Sequence, residues 1–282
     1  MQVFREKNQI QKTVVQIKAQ QKAIGLVPTM GALHHGHLAL INQALQDNDY
    51  VVVSIFVNPT QFNNKQDLKN YPRTLERDIN MLKTVSKEIL VYAPTIDDIY
   101  DGRTHAQPFN FDGLEFEMEG KFRRDHFDGV ATVVKRFFEI VKPDNAYFGE
   151  KDFQQLMIIK KLVKKNNIPV NVVGCKIHRE LNGLAMSSRN ERLNSVFKKA
   201  APFIYKILKA ARKKFKTNSA NYVTNWVEKQ FSEHSLFKLE YFVIADIENL
   251  KKVKRKSNKK KYRAFIAVYA DDIRLIDNIA LN

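Results

Sequence analysis

The chain of 282 residues contains one cysteine, Cys175, so no disulfide can form within it, and a reducing, cytoplasmic setting is expected. Cys175 itself reads as a small buried residue of a strand. Long apolar runs are missing: stretches such as Val51-Val52-Val53 are short, whereas a membrane-spanning helix needs about 20 apolar residues. The opening Met1-Gln2-Val3-Phe4-Arg5-Glu6-Lys7 lacks the apolar core of a signal peptide. No internal repeat is visible. Acidic residues are few beside basic ones, with 47 Lys and Arg against 30 Asp and Glu and a formal net charge of +17. Such an excess ordinarily suggests nucleic acid or an anionic membrane as partner. Much of it lies in residues 251–263, however, between strand-like residues 239–245 and 264–269. A solvated loop joining two strands is favoured over RNA or membrane contact, because no base-stacking aromatic pattern accompanies the lysines.

What is present is an α/β pattern. The length exceeds that of a common domain, so one large α/β domain and a smaller one are expected. Strand-like residues 23–27, 50–57, 88–93 and 145–148 alternate with helix-like segments, the pattern of a parallel sheet covered by helices. Val130, Val133, Val134, Phe137, Phe138 and Val141 recur at helical spacing and Pro143 marks the stop, so residues 129–142 read as a core helix. Residues 170–177 read as a further strand, followed by the turn signal Asn182-Gly183. Helical residues 195–216 and 220–231, then strands near Tyr241 and Phe265, suggest an α+β second domain.

The most informative run is Pro28-Thr29-Met30-Gly31-Ala32-Leu33-His34-His35-Gly36-His37, which sets two histidines three residues apart where a strand turns into a helix. The free N–H groups and positive dipole end of a helix start favour an anion. Residues at i and i+3 share a helix face, so His34 and His37 can reach neighbouring phosphate oxygens while His35 points elsewhere. Gly31 and Gly36 carry no Cβ and permit a tight turn and a close ligand. A zinc site fits less well, since only two ligands share the face and no cysteine or carboxylate completes the set. A solvent-facing histidine cluster without a role is the other alternative. In open parallel sheets ligands bind beyond the carboxyl ends of the strands. Three such loops, holding His34 and His37, Asn58-Pro59-Thr60-Gln61-Phe62, and Gly149-Glu150-Lys151-Asp152, are therefore expected to converge on one crevice.

A second element, Met186-Ser187-Ser188-Arg189-Asn190, offers two hydroxyls and a guanidinium just past a turn. Such a group can hold a pyrophosphate that gains charge, although serines before an arginine also form helix caps. Its order after the histidine-glycine-histidine motif matches the nucleotidylyl-transferase plan, in which both elements grip ATP from opposite sides.

On these stretches, and on Phe56-Val57-Asn58-Pro59-Thr60-Gln61-Phe62, Tyr71-Pro72-Arg73-Thr74, Phe148-Gly149-Glu150-Lys151-Asp152-Phe153-Gln154-Gln155-Leu156, Gly183-Leu184-Ala185-Met186 and Arg274-Leu275-Ile276-Asp277-Asn278, the chain resembles the pantothenate synthetase, or pantoate-β-alanine ligase, family over nearly its whole length. The resemblance implies a Rossmann-like parallel-sheet N-terminal domain, residues 1–176, binding nucleotide and pantoate, and a smaller α+β C-terminal lid domain, residues 177–282. It implies ATP-dependent condensation of (R)-pantoate with β-alanine through pantoyl adenylate, releasing AMP and pyrophosphate. ATP enters as substrate with Mg2+ on its phosphates, the assembly is a cytoplasmic homodimer, and neither nucleic acid nor membrane is a partner.

Carried over by position, His37 and His34 would be catalytic and contact the ATP phosphates, with Met30, Gly31, Ala32, Leu33, His35 and Gly36 lining the nucleotide site. Gly149 and Asp152 would lie at the ribose, with Glu150 also in the ATP site, Lys151 at the phosphates, the backbone near His178 at adenine, and Met186, Ser187, Ser188 and Arg189 at the adenine edge and pyrophosphate. Gln61 and Gln155 would bind pantoate, and Gln61 also β-alanine; an amide both donates and accepts but cannot act as a general base. No residue is assigned to a protein-held metal. Read alone, Lys151 would sooner be a surface ion pair with Glu150 or Asp152, and Gln155 would equally be a solvated helix residue. The chain departs from the family at Arg123-Arg124-Asp125-His126-Phe127, where Arg-Pro-Gly-His-Phe is usual, so a rigid proline and a flexible glycine are lost. Asn182 replaces a usual aspartate, His178 an apolar residue and His35 a frequent glutamate.

Overall fold

A computed structural model describes residues 1–282, and the chain divides into two compact units, Met1–Lys176 and Ile177–Asn282. The fold class is the one expected, a parallel α/β sheet and a smaller antiparallel α+β unit.

In the first unit β1 (Gln2–Phe4), β2 (Ile24–Thr29), β3 (Tyr50–Ile55), β4 (Leu90–Tyr92), β5 (Asn145–Gly149) and β6 (Asn171–Cys175) form one sheet of order β1-β4-β3-β2-β5-β6. Every pairing in it is parallel. A parallel sheet is covered on both faces, and its inner strands read as continuous apolar runs. Val51-Val52-Val53 is such a run, buried throughout. The covering helices are α1 (Lys7–Ala19), α2 (His35–Asp47), α3 (Lys65–Asn70), α4 (Leu75–Lys83), α5 (Ile96–Tyr100), α6 (Met118–Phe122), α7 (His126–Val141) and α8 (Phe153–Lys165). The stripe from Val130 to Val141 is buried in α7 as its spacing required. The helix starts three residues before the expected Gly129 and ends where Lys142 turns left-handed, φ 45°. Cys175 is half-buried in β6, where burial foremost pushes its thiol up to about 11.

Strand β2 runs two residues further than residues 23–27, through Pro28. It pairs with β3 as far as Thr29↔Ile55, but with β5 only at Gly25↔Asn145 and Leu26↔Ala146. Pro28 brings no N–H to a ladder, and it lies two residues past the point where β2 and β5 part. From β2 the chain moves outward to β3 and β4, while β5 and β6 stack on the other side. The gap between β2 and β5 is thus the topological switch point, where open α/β sheets bind ligands. Strand β1 was not expected; three residues at a sheet edge carry no periodicity to detect.

In the second unit β7 (Lys238–Asp246), β8 (Tyr262–Ala270) and β9 (Ile273–Ala280) form an antiparallel sheet with α9 (Ser195–Ala200), α10 (Pro202–Phe215) and α11 (Ala220–Ser232). The expected helix over residues 195–216 is two helices, because Pro202 opens α10 and cannot continue α9. Strand β9 was missed, and it contains the family stretch from Arg274 to Asn278. Asp277 there accepts two bonds from Arg179, at 2.7 and 2.9 Å, and the Arg179 guanidinium lies 3.6 Å from the Tyr205 ring centre. This stretch therefore fastens the unit's first hairpin to its sheet.

The lysine-rich segment joins β7 to β8, as its flanking strands implied. Leu250 and Val253 are buried beneath it, Lys260 Nζ donates to Asp246 Oδ2 at 2.6 Å, and Lys256 Nζ lies 4.0 Å from the Phe215 ring centre and donates to the Phe215 carbonyl. At least part of the basic run is thus tied into the fold.

Candidate active site

The loop after β2 turns through two left-handed residues, Gly31 at φ 80° and Ala32 at φ 49°. A Cβ on Gly31 would stand 3.1 Å from both Asp78 Oδ2 and Ile55 Cγ2, so glycine is required there for conformation and for space. Asp78, on α4, is fully buried and accepts from the Leu33 N–H at 2.7 Å, the Ala32 N–H at 3.0 Å and the Thr74 hydroxyl at 3.3 Å. This carboxylate braces the loop from outside its own segment.

His34 is the N-cap of α2 and His37 its third residue, and they form a reciprocal capping box. His34 Nδ1 accepts from the Gly36 N–H at 3.1 Å and His37 Nδ1 from the His34 N–H at 3.3 Å. The rings stack with centres 4.0 Å apart. Because both Nδ1 atoms accept, each neutral ring carries its proton on Nε2. Burial, then His34, then Lys151 hold the His37 pKa well below the usual histidine range. His37 is therefore a neutral Nε2–H donor at pH 7. The backbone caps the helix with the same two imidazoles that sequence reasoning selected for phosphate, and His35 is exposed, away from the pair.

After β3, the turn Pro59–Gln61 carries Gln61 toward this loop, its Nε2 donating to Met30 Sδ at 3.1 Å. The Gln61 carbonyl accepts from His126 Nδ1 at 2.8 Å and Arg123 Nη2 at 3.4 Å. Burial foremost, then Arg123, lowers the His126 pKa to about 3, so its ring is neutral and donates from Nδ1. Asp125 occupies the position of the family's glycine and takes φ 61°. Aspartate tolerates that left-handed conformation, so the loop keeps a glycine-like path despite its changed sequence. Gly129 is also fixed by space: a Cβ there would lie 2.3 Å from the Thr60 carbonyl oxygen.

After β5, Gly149 has an extended backbone (φ −72°) and open space where a Cβ would stand, the nearest atom being Lys151 N at 4.0 Å. Neither conformation nor packing demands glycine. Lys151 pairs with Asp152 at 3.4 Å, and its charge also helps lower the His37 pKa. The adjacent glutamines divide. Gln154 is buried, donating to the Leu114 and Glu117 carbonyls at 2.7 and 2.8 Å and accepting from Glu119 N–H at 3.0 Å. Gln155 is half-buried and its side chain makes no hydrogen bond within the chain.

The second unit holds the other group. Gly183, at φ 96°, closes a turn in which its N–H donates to the Glu180 carbonyl at 2.8 Å, and Arg179 bridges Ala185. Met186 N–H donates to the His178 carbonyl at 3.1 Å. Ser187 then caps a short 3-10 helix, Ser188–Arg192, by accepting from Arg189 N–H at 3.3 Å. Met186, Ser187, Ser188 and Arg189 are all partly exposed, while the His178 side chain is exposed. The cap reading of the serines is thus realised in the fold at Ser187.

Asp78 and Tyr100 were not picked out in the sequence as residues of the site, and Asn58 only as part of the loop after β3. Asp78 resembles any acidic residue in a helix's first turn, and only its contact across 45 residues to Leu33 reveals it.

A parallel sheet with a histidine-capped helix beside its switch point defines a class, the Rossmann-like α/β proteins. A family model described as pantoate-beta-alanine ligase matches residues 2–280. A pantothenate synthetase of Christiangramia forsetii is 57% identical over 282 residues, 100% of both chains. One from Flavobacterium psychrophilum is 57% identical over 281 residues, again 100% of both. Among solved structures, a pantothenate synthetase of Thermus thermophilus matches with a TM-score of 0.91 and 36% identity over 100% of this chain and 99% of that one. A pantoate-beta-alanine ligase of Francisella tularensis, complexed with beta-gamma ATP and beta-alanine, matches with a TM-score of 0.82 and 37% identity over 100% and 98%. The chain belongs to the pantoate-β-alanine ligase family.

Proposed function

We propose that the chain joins (R)-pantoate to β-alanine using ATP, through a pantoyl-adenylate intermediate, at the crevice between β2 and β5. The observation that carries this reading is the His34–His37 pair at the start of α2, whose Nδ1 atoms accept from the backbone, so that the proton of each neutral ring lies on Nε2. A pantoate carboxylate oxygen bonds to the α-phosphorus of ATP as the bond from that phosphorus to the bridging oxygen breaks, and pyrophosphate leaves. The amine of β-alanine then bonds to the acyl carbon, the carbon–oxygen bond to AMP breaks, and the nitrogen gives up a proton. The carboxylate is already a nucleophile, so no residue has to act as base in the first step.

The residues suit the remaining task, which is charge. Preorganised donors aimed at developing negative charge contribute most in a water-poor site. His34, His37 and Lys151 supply such donors for the departing pyrophosphate, and Ser187, Ser188 and Arg189 are assigned to the nucleotide with them. Gly149 leaves space for the ribose. Gln61 and Gln155 hold pantoate, and Gln61 also faces β-alanine. Magnesium would enter as an ion carried by ATP's own phosphates, where it would offset their charge. A homodimer in the cytoplasm belongs to the same proposal.

Pantoate-dependent exchange of labelled pyrophosphate into ATP, without β-alanine, tests the reading. Exchange is expected; its absence in folded protein overturns the adenylate step.

A further inference from the structure

Resting on the assignment of Gln61 to pantoate, we infer that Tyr100, 39 residues along the chain and on a different element, is a positioning residue that fixes which end of the Gln61 amide meets the substrate. Tyr100 closes α5 and is 1% exposed. Its hydroxyl donates to Asn58 Oδ1 at 2.5 Å. The Thr60 hydroxyl lies 3.1 Å from the same oxygen and 2.9 Å from the Tyr100 hydroxyl. Burial raises the phenol's pKa, which keeps the proton on the oxygen that donates.

An amide held in this way has one orientation. Asn58 is itself buried, and with Oδ1 saturated by hydroxyls its Nδ2 donates to the Gly129 carbonyl at 3.1 Å and to Gln61 Oε1 at 3.1 Å. The Gly129 carbonyl can only accept, so turning Asn58 over would set oxygen against oxygen there and at Gln61. Gln61 follows: its Oε1 is taken by Asn58, and its NH2 faces Met30 Sδ. Thioether sulfur is a weak acceptor, one that a carboxylate or hydroxyl oxygen of the acid readily displaces. The chain of bonds from Tyr100 through Asn58 therefore makes Gln61 a donor toward pantoate before pantoate arrives. Such preorganisation reduces the ordering that binding would otherwise demand. The Arg136 guanidinium lies 5.4 Å from the Tyr100 ring centre, so the phenol's position is supported from α7 as well.

The test is Tyr100→Phe, with Thr60→Val as a second variant of unchanged bulk. Initial rates are measured against pantoate and ATP separately, together with thermal melts. Loss of one buried hydrogen bond behind the amide is expected to raise the KM for pantoate about three- to tenfold, with the KM for ATP unchanged and kcat within about twofold. Combining the two substitutions is expected to raise the pantoate KM further, because both hydroxyls serve one oxygen. A purely structural role would lower the melting temperature or the active fraction while leaving the pantoate KM alone, and that result overturns the inference. Equal rises in both KM values overturn it too. Should Tyr100→Phe not fold, Thr60→Val decides by the same criterion. Failure of the ligase assignment shows separately, as wild-type protein without pantoate-dependent exchange.

Discussion

Replacing Asp78 by asparagine probes the link between fold and phosphate loop most sharply. The carboxylate is fully buried and receives the Leu33 N–H at 2.7 Å, the Ala32 N–H at 3.0 Å and the Thr74 hydroxyl at 3.3 Å. Asparagine keeps the shape but converts one oxygen to NH2, which then faces an N–H donor. One charge-assisted bond to a backbone N–H is lost and those to the remaining oxygen become neutral. Hydrogen bonds to charged groups contribute about 1.5–3 kcal/mol each, so a loss on the order of 3 kcal/mol is expected. For a unit of this size each kcal/mol moves the melting temperature by about 2–4 °C, giving a fall of roughly 6–12 °C. Ala32 and Leu33 lead directly into the His34 cap, so the loop shifts with them, and the KM for ATP is expected to rise about tenfold or more, since small misplacements near reacting groups are costly. Differential scanning fluorimetry and exchange kinetics measure the two effects. A melting temperature within about 1 °C of wild type, with an unchanged KM for ATP, refutes the bracing argument.

Other consequences follow from the same geometry. His37→Ala is expected to lower the pyrophosphate-exchange rate about 100-fold, the scale of losing one preorganised donor, with only about 1 kcal/mol of stability lost with the cap bond; an undiminished rate removes His37 from the chemistry. Gly149→Ala is expected to fold normally, since its backbone is extended and a Cβ meets open space, yet to raise the KM for ATP; unaltered ATP kinetics contradict its place at the ribose. The His126 pKa of about 3 makes stability pH-dependent. Below the unfolded value near 6.5 the unfolded chain binds a proton that the folded one refuses, so stability falls as pH drops from about 6.5 toward 3, by up to about 1.4 kcal/mol per pH unit. Urea unfolding of wild type and His126→Gln checks this, the variant being expected to show a shallower slope.

Local periodicity and turn chemistry made α7, the central strands and the β2-to-α2 loop legible, because each of these signals lies within a dozen residues. The extension of β2 through Pro28 was hidden, since proline ordinarily argues against an inner strand; only the early end of the β2–β5 ladder explains it. Gln154 and Gln155 are indistinguishable as letters, and the helix phase that buries one and leaves the other half-buried is set by packing against residues 114–119. Asp78 and Tyr100 were invisible for a related reason. Each acts through partners some 40 residues away, and a buried polar residue announces itself by its partners rather than by its neighbours in sequence.

The central claim, that pantoate's carboxylate attacks the α-phosphate, is tested most directly with pantoate labelled by 18O in both carboxylate oxygens. Mass spectrometry of a complete reaction with ATP and β-alanine is expected to find one 18O in AMP, one in the new amide and none in pyrophosphate. AMP free of label, or label in pyrophosphate or inorganic phosphate, contradicts the acyl-adenylate route.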